Sequence, residues 1–161
     1  MRLTQRLQLI KLTVLVGLLV SVLLSLNLWA GQRYFPKSTL IHDYFGVPAP
    51  YDYIQLAFLI ILIVSSFLTQ QKLPTLLLIL FSIYLCFDDQ NRLQPWFFNY
   101  ILILFILIFY KHRVDEPHNY STVFISIQIL VALIYVFSGM QKMNPEFVPD
   151  TFVWLVGSFD G

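Results

Sequence analysis

Two short stretches of this chain bring together residue types that could bind an anion, orient a base or move a proton. The first is Asp88-Asp89-Gln90-Asn91-Arg92-Leu93-Gln94-Pro95-Trp96. Its plainer reading is a hydrated hairpin turn, in which Arg92 neutralises one carboxylate and Trp96 anchors an interface. Its functional reading turns Asp89 and Arg92 back into the mouth of a helix bundle, to bind an anion or orient a base. The second stretch is Phe137-Ser138-Gly139-Met140-Gln141-Lys142-Met143-Asn144-Pro145-Glu146-Phe147. Gly139 leaves room for a helix or ligand to come close, and Lys142 follows one turn later among apolar residues. Lys142 either snorkels, lifting its amine to the headgroups, or is held in a dry pocket. There desolvation disfavours the ammonium form and leaves an amine able to act as a base near neutral pH.

The elements that must position these groups follow from where charge is missing. Of 161 residues 58% are apolar and only 12% charged, about half the charge of a typical soluble domain. No ionisable Asp, Glu, Lys, Arg or His occurs in Leu12–Ala30, Tyr53–Thr69, Leu73–Phe87, Pro95–Tyr110 or Ser121–Gln141, runs of 19, 17, 15, 16 and 21 residues. Crossing a hydrocarbon core takes about 20 helical residues, with ~17 as a floor. Flanking aromatic and basic residues at the interface are expected to extend the third and fourth runs. Barrel strands would alternate polar and apolar residues, and Ile101-Leu102-Ile103-Leu104-Phe105-Ile106-Leu107-Ile108-Phe109 does not. Backbone groups in lipid must then be satisfied within each segment, which predicts helices.

The expected fold is therefore all-α, a polytopic bundle of five membrane helices in a lipid bilayer with a short C-terminal helix. The N-terminal run is too long for a signal core and is read as a retained anchor. Pro74 and Pro95 are expected in first helical turns, with Ser121 or Asn119 capping the fifth helix. The link over residues 31–52, with Pro36, Gly46, Pro48 and Pro50, is expected to form a small cap on the bundle. Arg2, Arg6, Lys11, Lys72, Lys111 and Arg113 fall on one side, and Arg33, Lys37, Arg92 and Lys142 on the other. That bias puts the N-terminus in the cytoplasm and both polar stretches on the outer side. Gly17, Ser21 and Ser25 share a helix face suited to close approach by another helix. Gln128 and Asn99, polar at membrane depth, are expected to face the interior and find partners.

Net charge is +1 with scattered basic residues, so no nucleic-acid partner is indicated. Cys86 is the single cysteine and cannot form an intramolecular disulfide. His112 and His118 lie with Asp115 and Glu116 in a link that reads as an ordinary hydrated loop, so no metal site is expected.

Ser138-Gly139-Met140-Gln141-Lys142-Met143-Asn144-Pro145-Glu146-Phe147-Val148 resembles the helix-end motif of the vitamin K-dependent γ-carboxylase and its bacterial relatives, the horizontally transferred transmembrane (HTTM) domain. The turn at Asp89-Gln90 also resembles that family's acidic turn. The resemblance is close over about 11 residues and loose over most of the chain. It implies that Lys142 is the base that deprotonates a reduced quinone-like molecule. Gly139, Asn144 and Glu146 would then lie in the motif around it, with Asp89, Arg92, Trp96 and Gln128 as candidate binding residues. It also implies a bacterial inner membrane. Two departures weaken it. The family's assisting histidine falls at or near Trp96, and 161 residues cannot hold the lumenal domain that grips a protein substrate. DoxX-like quinone-linked proteins look related but match the lysine segment less well.

Residues 1–161 thus read as the N-terminal part of one HTTM-like domain. Three functions compete. One is an enzyme or quinone-binding protein using Lys142 at the outer face. Another is a non-catalytic, DoxX-like subunit docking a membrane protein partner on the Gly17–Ser25 face. The third is a transporter fragment, ranked last because ionisable groups are missing at mid-membrane.

Overall fold

The computed structural model describes residues 3–30, 39, 51–69, 71–109 and 117–142. It is all-α, and no strand occurs among the described residues. The helices are α1 (Leu3–Leu24), α2 (Leu26–Trp29), α3 (Asp52–Leu68), α4 (Lys72–Asp88), α5 (Pro95–Phe109) and α6 (Pro117–Lys142), with a 3-10 turn at Gln90–Arg92. The chain divides into two compact units, Met1–Tyr120 and Ser121–Gly161.

Helix positions follow the uncharged runs, and three departures have local causes. α1 starts at Leu3, so Arg6 and Lys11 lie within it rather than before it. It breaks at Ser25, whose hydroxyl donates to the Ser21 carbonyl at 2.7 Å, a back-bond that bends helices. The chain leaves helical geometry there (φ −109°, ψ 34°) and resumes as α2. α6 begins at Pro117, where a proline at the first helical position gives up no hydrogen bond. Asn119 and Ser121 are therefore inside α6 and do not cap it. Pro95 opens α5 and Pro74 sits in the first turn of α4, as expected.

In the first unit, α1 packs on α3 and α5, and α4 packs on the same two helices, closing a ring of four. Leu15, Leu18 and Val22 of α1, Leu59 and Ile63 of α3, Leu78 and Leu85 of α4, and Phe97, Ile101 and Leu104 of α5 fill its centre. Their spacings of three, four and seven residues are those of one helix face. At Gly17 the seam between α1 and α5 is tight. A Cβ there would meet Tyr100 Oη at 2.9 Å and Cζ at 3.0 Å. The face on which the sequence suggests docking of a separate protein is thus occupied at Gly17 by this chain's own α5. Gly17 is small because Tyr100 lies against it.

Around this apolar centre, polar groups are buried at several positions and large apolar side chains are exposed at others. Asp52, Gln55, Ser66, Thr75, Ser82, Asp88, Asp89 and Arg92 are buried. Ile54, Ile61 and Leu68 of α3, and Leu73, Leu80 and Phe87 of α4, are exposed. Each trio recurs every seven residues, so it forms a continuous outward stripe. A water-facing helix would carry charge along such a stripe.

By length and composition Gln5–Leu24, with mean hydropathy 2.4, can cross a membrane. Asp52–Leu68, Pro95–Ile108 and Ser121–Phe137 are apolar but shorter.

Candidate functional site

One end of the ring gathers the C-terminal ends of α2 and α4, the N-terminal ends of α3 and α5, and the 3-10 turn. α4 can run apolar to its last turn and then deliver Asp88, because Asp89 takes an extended conformation (φ −151°, ψ 111°) that stops the helix. The Asp89 carboxylate accepts from the Asn91 backbone N–H at 3.1 Å and from Asn91 Nδ2 at 3.0 Å. Such a bond to the backbone two residues on is how aspartate stabilises a turn. Gln94 Nε2 closes the turn on the Asn91 carbonyl at 2.9 Å. Gln90 Nε2 reaches the carbonyl of Thr39 at 3.2 Å. Thr39 belongs to the link expected to cap the bundle, and the rest of 31–50 lies outside the described residues.

The turn sends Arg92 inward, with none of its surface exposed. Its Nη1 lies 3.0 Å from Asp88 Oδ2, 3.3 Å from Gln55 Oε1 and 3.4 Å from the Leu85 carbonyl. Its Nη2 is 3.3 Å from the Trp29 carbonyl and 3.4 Å from Gln55 Oε1, with Asp52 Oδ1 at 3.7 Å. The guanidinium carbon stands 5.5 Å from the centre of the Trp29 ring, within range of cation–π attraction. Trp29 is itself held by its Nε1, which donates to Ser25 Oγ at 3.0 Å, and by Phe97, with ring centres 5.0 Å apart. Gln55 has its second group engaged too, Nε2 donating to Tyr84 Oη at 3.4 Å. One arginine therefore ties α2, α3 and α4 to the turn before α5.

This arrangement settles what the polar turn is locally. Asp88, Asp89 and Arg92 are buried, so they are not a hydrated loop. Arg92 does turn inward, but toward protein acceptors and out of solvent's reach. A buried charge costs several kcal/mol unless it is paired and hydrogen-bonded, and here the pairing is supplied by Asp88, Asp52, Gln55 and two main-chain carbonyls. The planar, forked guanidinium suits such convergence of acceptors, which a lysine's point charge would not match.

The remaining candidates fall elsewhere. Trp96 is half-buried beside Phe97, with ring centres 5.8 Å apart. Asn99 is half-buried and its Oδ1 meets no hydrogen-bond donor among the described residues, so the expected partner is not found there. Gln128 lies on α6 and is exposed. Gly139 is exposed, and a Cβ there would meet nothing within 4 Å among the described residues. α6 runs as far as Lys142, whose side chain, like Asn144 and Glu146, lies outside the described residues. Among those residues no three His, Cys, Asp or Glu are grouped to hold a metal ion.

Asp52, Gln55 and Trp29 are the site residues that sequence reasoning passes over. Each sits at the margin of an uncharged run, and Trp29 and Asp52 border the same irregular link. That shared border was the available signal. No family model, curated protein or solved structure matches the chain.

Proposed function

We propose that this chain is a multi-pass integral membrane protein, with five spans and a cytoplasmic N-terminus, whose bundle holds an amphipathic molecule drawn from the bilayer. The outward apolar stripes carry this reading, together with the burial of Arg92, Asp88, Asp52 and Gln55 at one end of the ring. In water each exposed leucine or isoleucine forgoes about 1.5–3 kcal/mol of burial, whereas in lipid the same stripes face a matching solvent. The shorter helices fit a bundle whose ends carry tyrosine, tryptophan and lysine at the interface. Arg92 is read as a structural tie at the outer face, because its Nη1 and Nη2 are both directed at protein acceptors.

Position-specific labelling tests the topology. In a background lacking Cys86, Leu93→Cys and Gln71→Cys are treated with a membrane-impermeant maleimide on sealed cells. Labelling at 93 from outside, and at 71 only after permeabilisation, is expected. Labelling at both positions without permeabilisation contradicts α4 as the span between them.

A second reading keeps the family-like chemistry, with Lys142 deprotonating a quinone-like molecule at the outer face of a bacterial inner membrane. The unbroken course of α6 to Lys142 and the open surface at Gly139 favour it. Unchanged binding of menaquinone analogues after Lys142→Met removes Lys142 from any such site.

A further inference from the structure

α4 and α5 meet along a seam that is apolar for most of its length and cationic at one end. Between them lies a lateral cavity of ≈ 240 Å³, lined by Ile79, Ile83 and Cys86 of α4 and by Phe98, Leu102 and Phe105 of α5. Ile83, Phe98, Leu102 and Phe105 are exposed, so the cavity opens sideways rather than into the ring. At ~30 Å³ for a unit the size of a water molecule, it accommodates about eight methylenes. Ser82 also borders it, but the Ser82 hydroxyl is buried, leaving a lining suited to hydrocarbon alone.

The end of the same seam is different. Lys72, the first residue of α4, spans the seam and donates to the carbonyl of Ile108 near the end of α5 at 2.6 Å. Lys72 is exposed, and Ile79 follows seven residues on, about 10 Å along the helix. Lys11 stands at the same end of the ring, donating to the Thr69 carbonyl at 3.4 Å. The three carboxylates among the described residues, Asp52, Asp88 and Asp89, all belong to the opposite end.

We propose that the α4–α5 seam binds an anionic phospholipid, with its phosphate at Lys72 and the far part of one acyl chain in the cavity between Ile79 and Cys86. The proposal rests on the membrane reading and names the amphipathic molecule it invokes. Charge selects the headgroup, since a cation beside a bilayer surface favours anionic over zwitterionic lipid. The apolar cavity selects the tail, and only a molecule with both parts uses both ends of the seam.

Native mass spectrometry of the detergent-purified protein, offered equal phosphatidylglycerol and phosphatidylcholine with the same acyl chains, provides the test. Phosphatidylglycerol is expected to be retained about five-fold over phosphatidylcholine. Lys72→Gln should bring that ratio to about one, while Lys72→Arg keeps it. Ile83→Trp, which fills the cavity from its exposed rim, should lower retention of both lipids without changing their ratio. Equal retention of the two lipids by the wild type, or an unchanged ratio in Lys72→Gln, overturns the proposal. So does displacement of the lipid by millimolar inorganic phosphate, which would show a site for the free anion. A protein that needs detergent yet retains both lipids equally sinks this proposal alone. One that stays monomeric and folded without detergent sinks the membrane reading as well.

Discussion

At one end of the four-helix ring Arg92 is drawn wholly out of water and surrounded by Asp88, Asp52, Gln55 and the carbonyls of Leu85 and Trp29. At the other, Lys72 is exposed and Lys11 half-buried, and each reaches across to the last carbonyls of a neighbouring helix. Both ends face the same difficulty. Helices leave carbonyls unpaired where they stop, and cations there complement both the carbonyls and the helix dipole. The ends differ in dielectric. At the Arg92 end, desolvation makes each contact strong and each omission costly. At the lysine end, water competes for the exposed ammonium of Lys72, and little depends on any one contact.

Arg92→Met breaks this contrast most directly. It leaves Asp88 and Asp52 buried without their cation, and removing one partner of a buried pair costs about 3–5 kcal/mol. We expect a loss of that size in reversible denaturant unfolding in micelles, or failure to accumulate folded protein. Lys72→Met, measured alongside, should shift stability by about 0.5 kcal/mol or less. Comparable losses at the two ends would show that burial is not what separates them. Gln55→Leu comes next, at about 1–3 kcal/mol, because it strips an acceptor from Arg92 and a partner from Tyr84. In a double-mutant cycle with Arg92→Met the two losses should overlap by about 0.5–3 kcal/mol. Strict additivity would mean that Gln55 acts independently of the arginine.

Gly17→Ala separates the ends from the seam between them. The added methyl meets Tyr100 at 2.9 Å, and overpacking of this kind costs about 1–3 kcal/mol. Pairing it with Tyr100→Phe should recover part of the loss, since the hydroxyl is the nearest atom. No recovery would place the obstruction in the ring itself, whose Cζ and Cε1 lie 3.0 and 3.1 Å from the added methyl.

The uncharged runs disclosed where the helices lie, because 15 or more apolar residues without strand-like alternation leave a helix as the plain way to pair the backbone. The break at Ser25 was not legible, since a serine at membrane depth reads equally well as a packing residue. The site was legible by half. Asp89 and Arg92 stand out as the polar centre of a short link. That Arg92 turns inward to Asp52 and Gln55, 40 and 37 residues earlier, depends on which helices become neighbours, and the long link over residues 31–50 gives no local signal of that. Gly17 shows the same limit from the other side. Its spacing with Ser21 and Ser25 announces a close approach correctly, but a small residue cannot say whether the approaching helix is its own chain's or another's.

The smallest expected effect concerns salt and tests the contrast at its root. Mobile ions screen charges that water reaches, over ~8 Å at physiological ionic strength, and barely touch a desolvated pair. Raising salt from ~0.05 to ~0.5 M should therefore leave the stability difference between wild type and Arg92→Met nearly unchanged. The smaller difference between wild type and Lys72→Gln should shrink toward zero over the same range. If instead the Arg92 difference falls with salt, ions and water reach the guanidinium, and the closed end is open in solution. Lys11 offers an internal check, because it is half-buried where Lys72 is exposed. Its substitution by glutamine should be less salt-sensitive than that of Lys72 and more so than that of Arg92, ordering the three cations by how much water each retains.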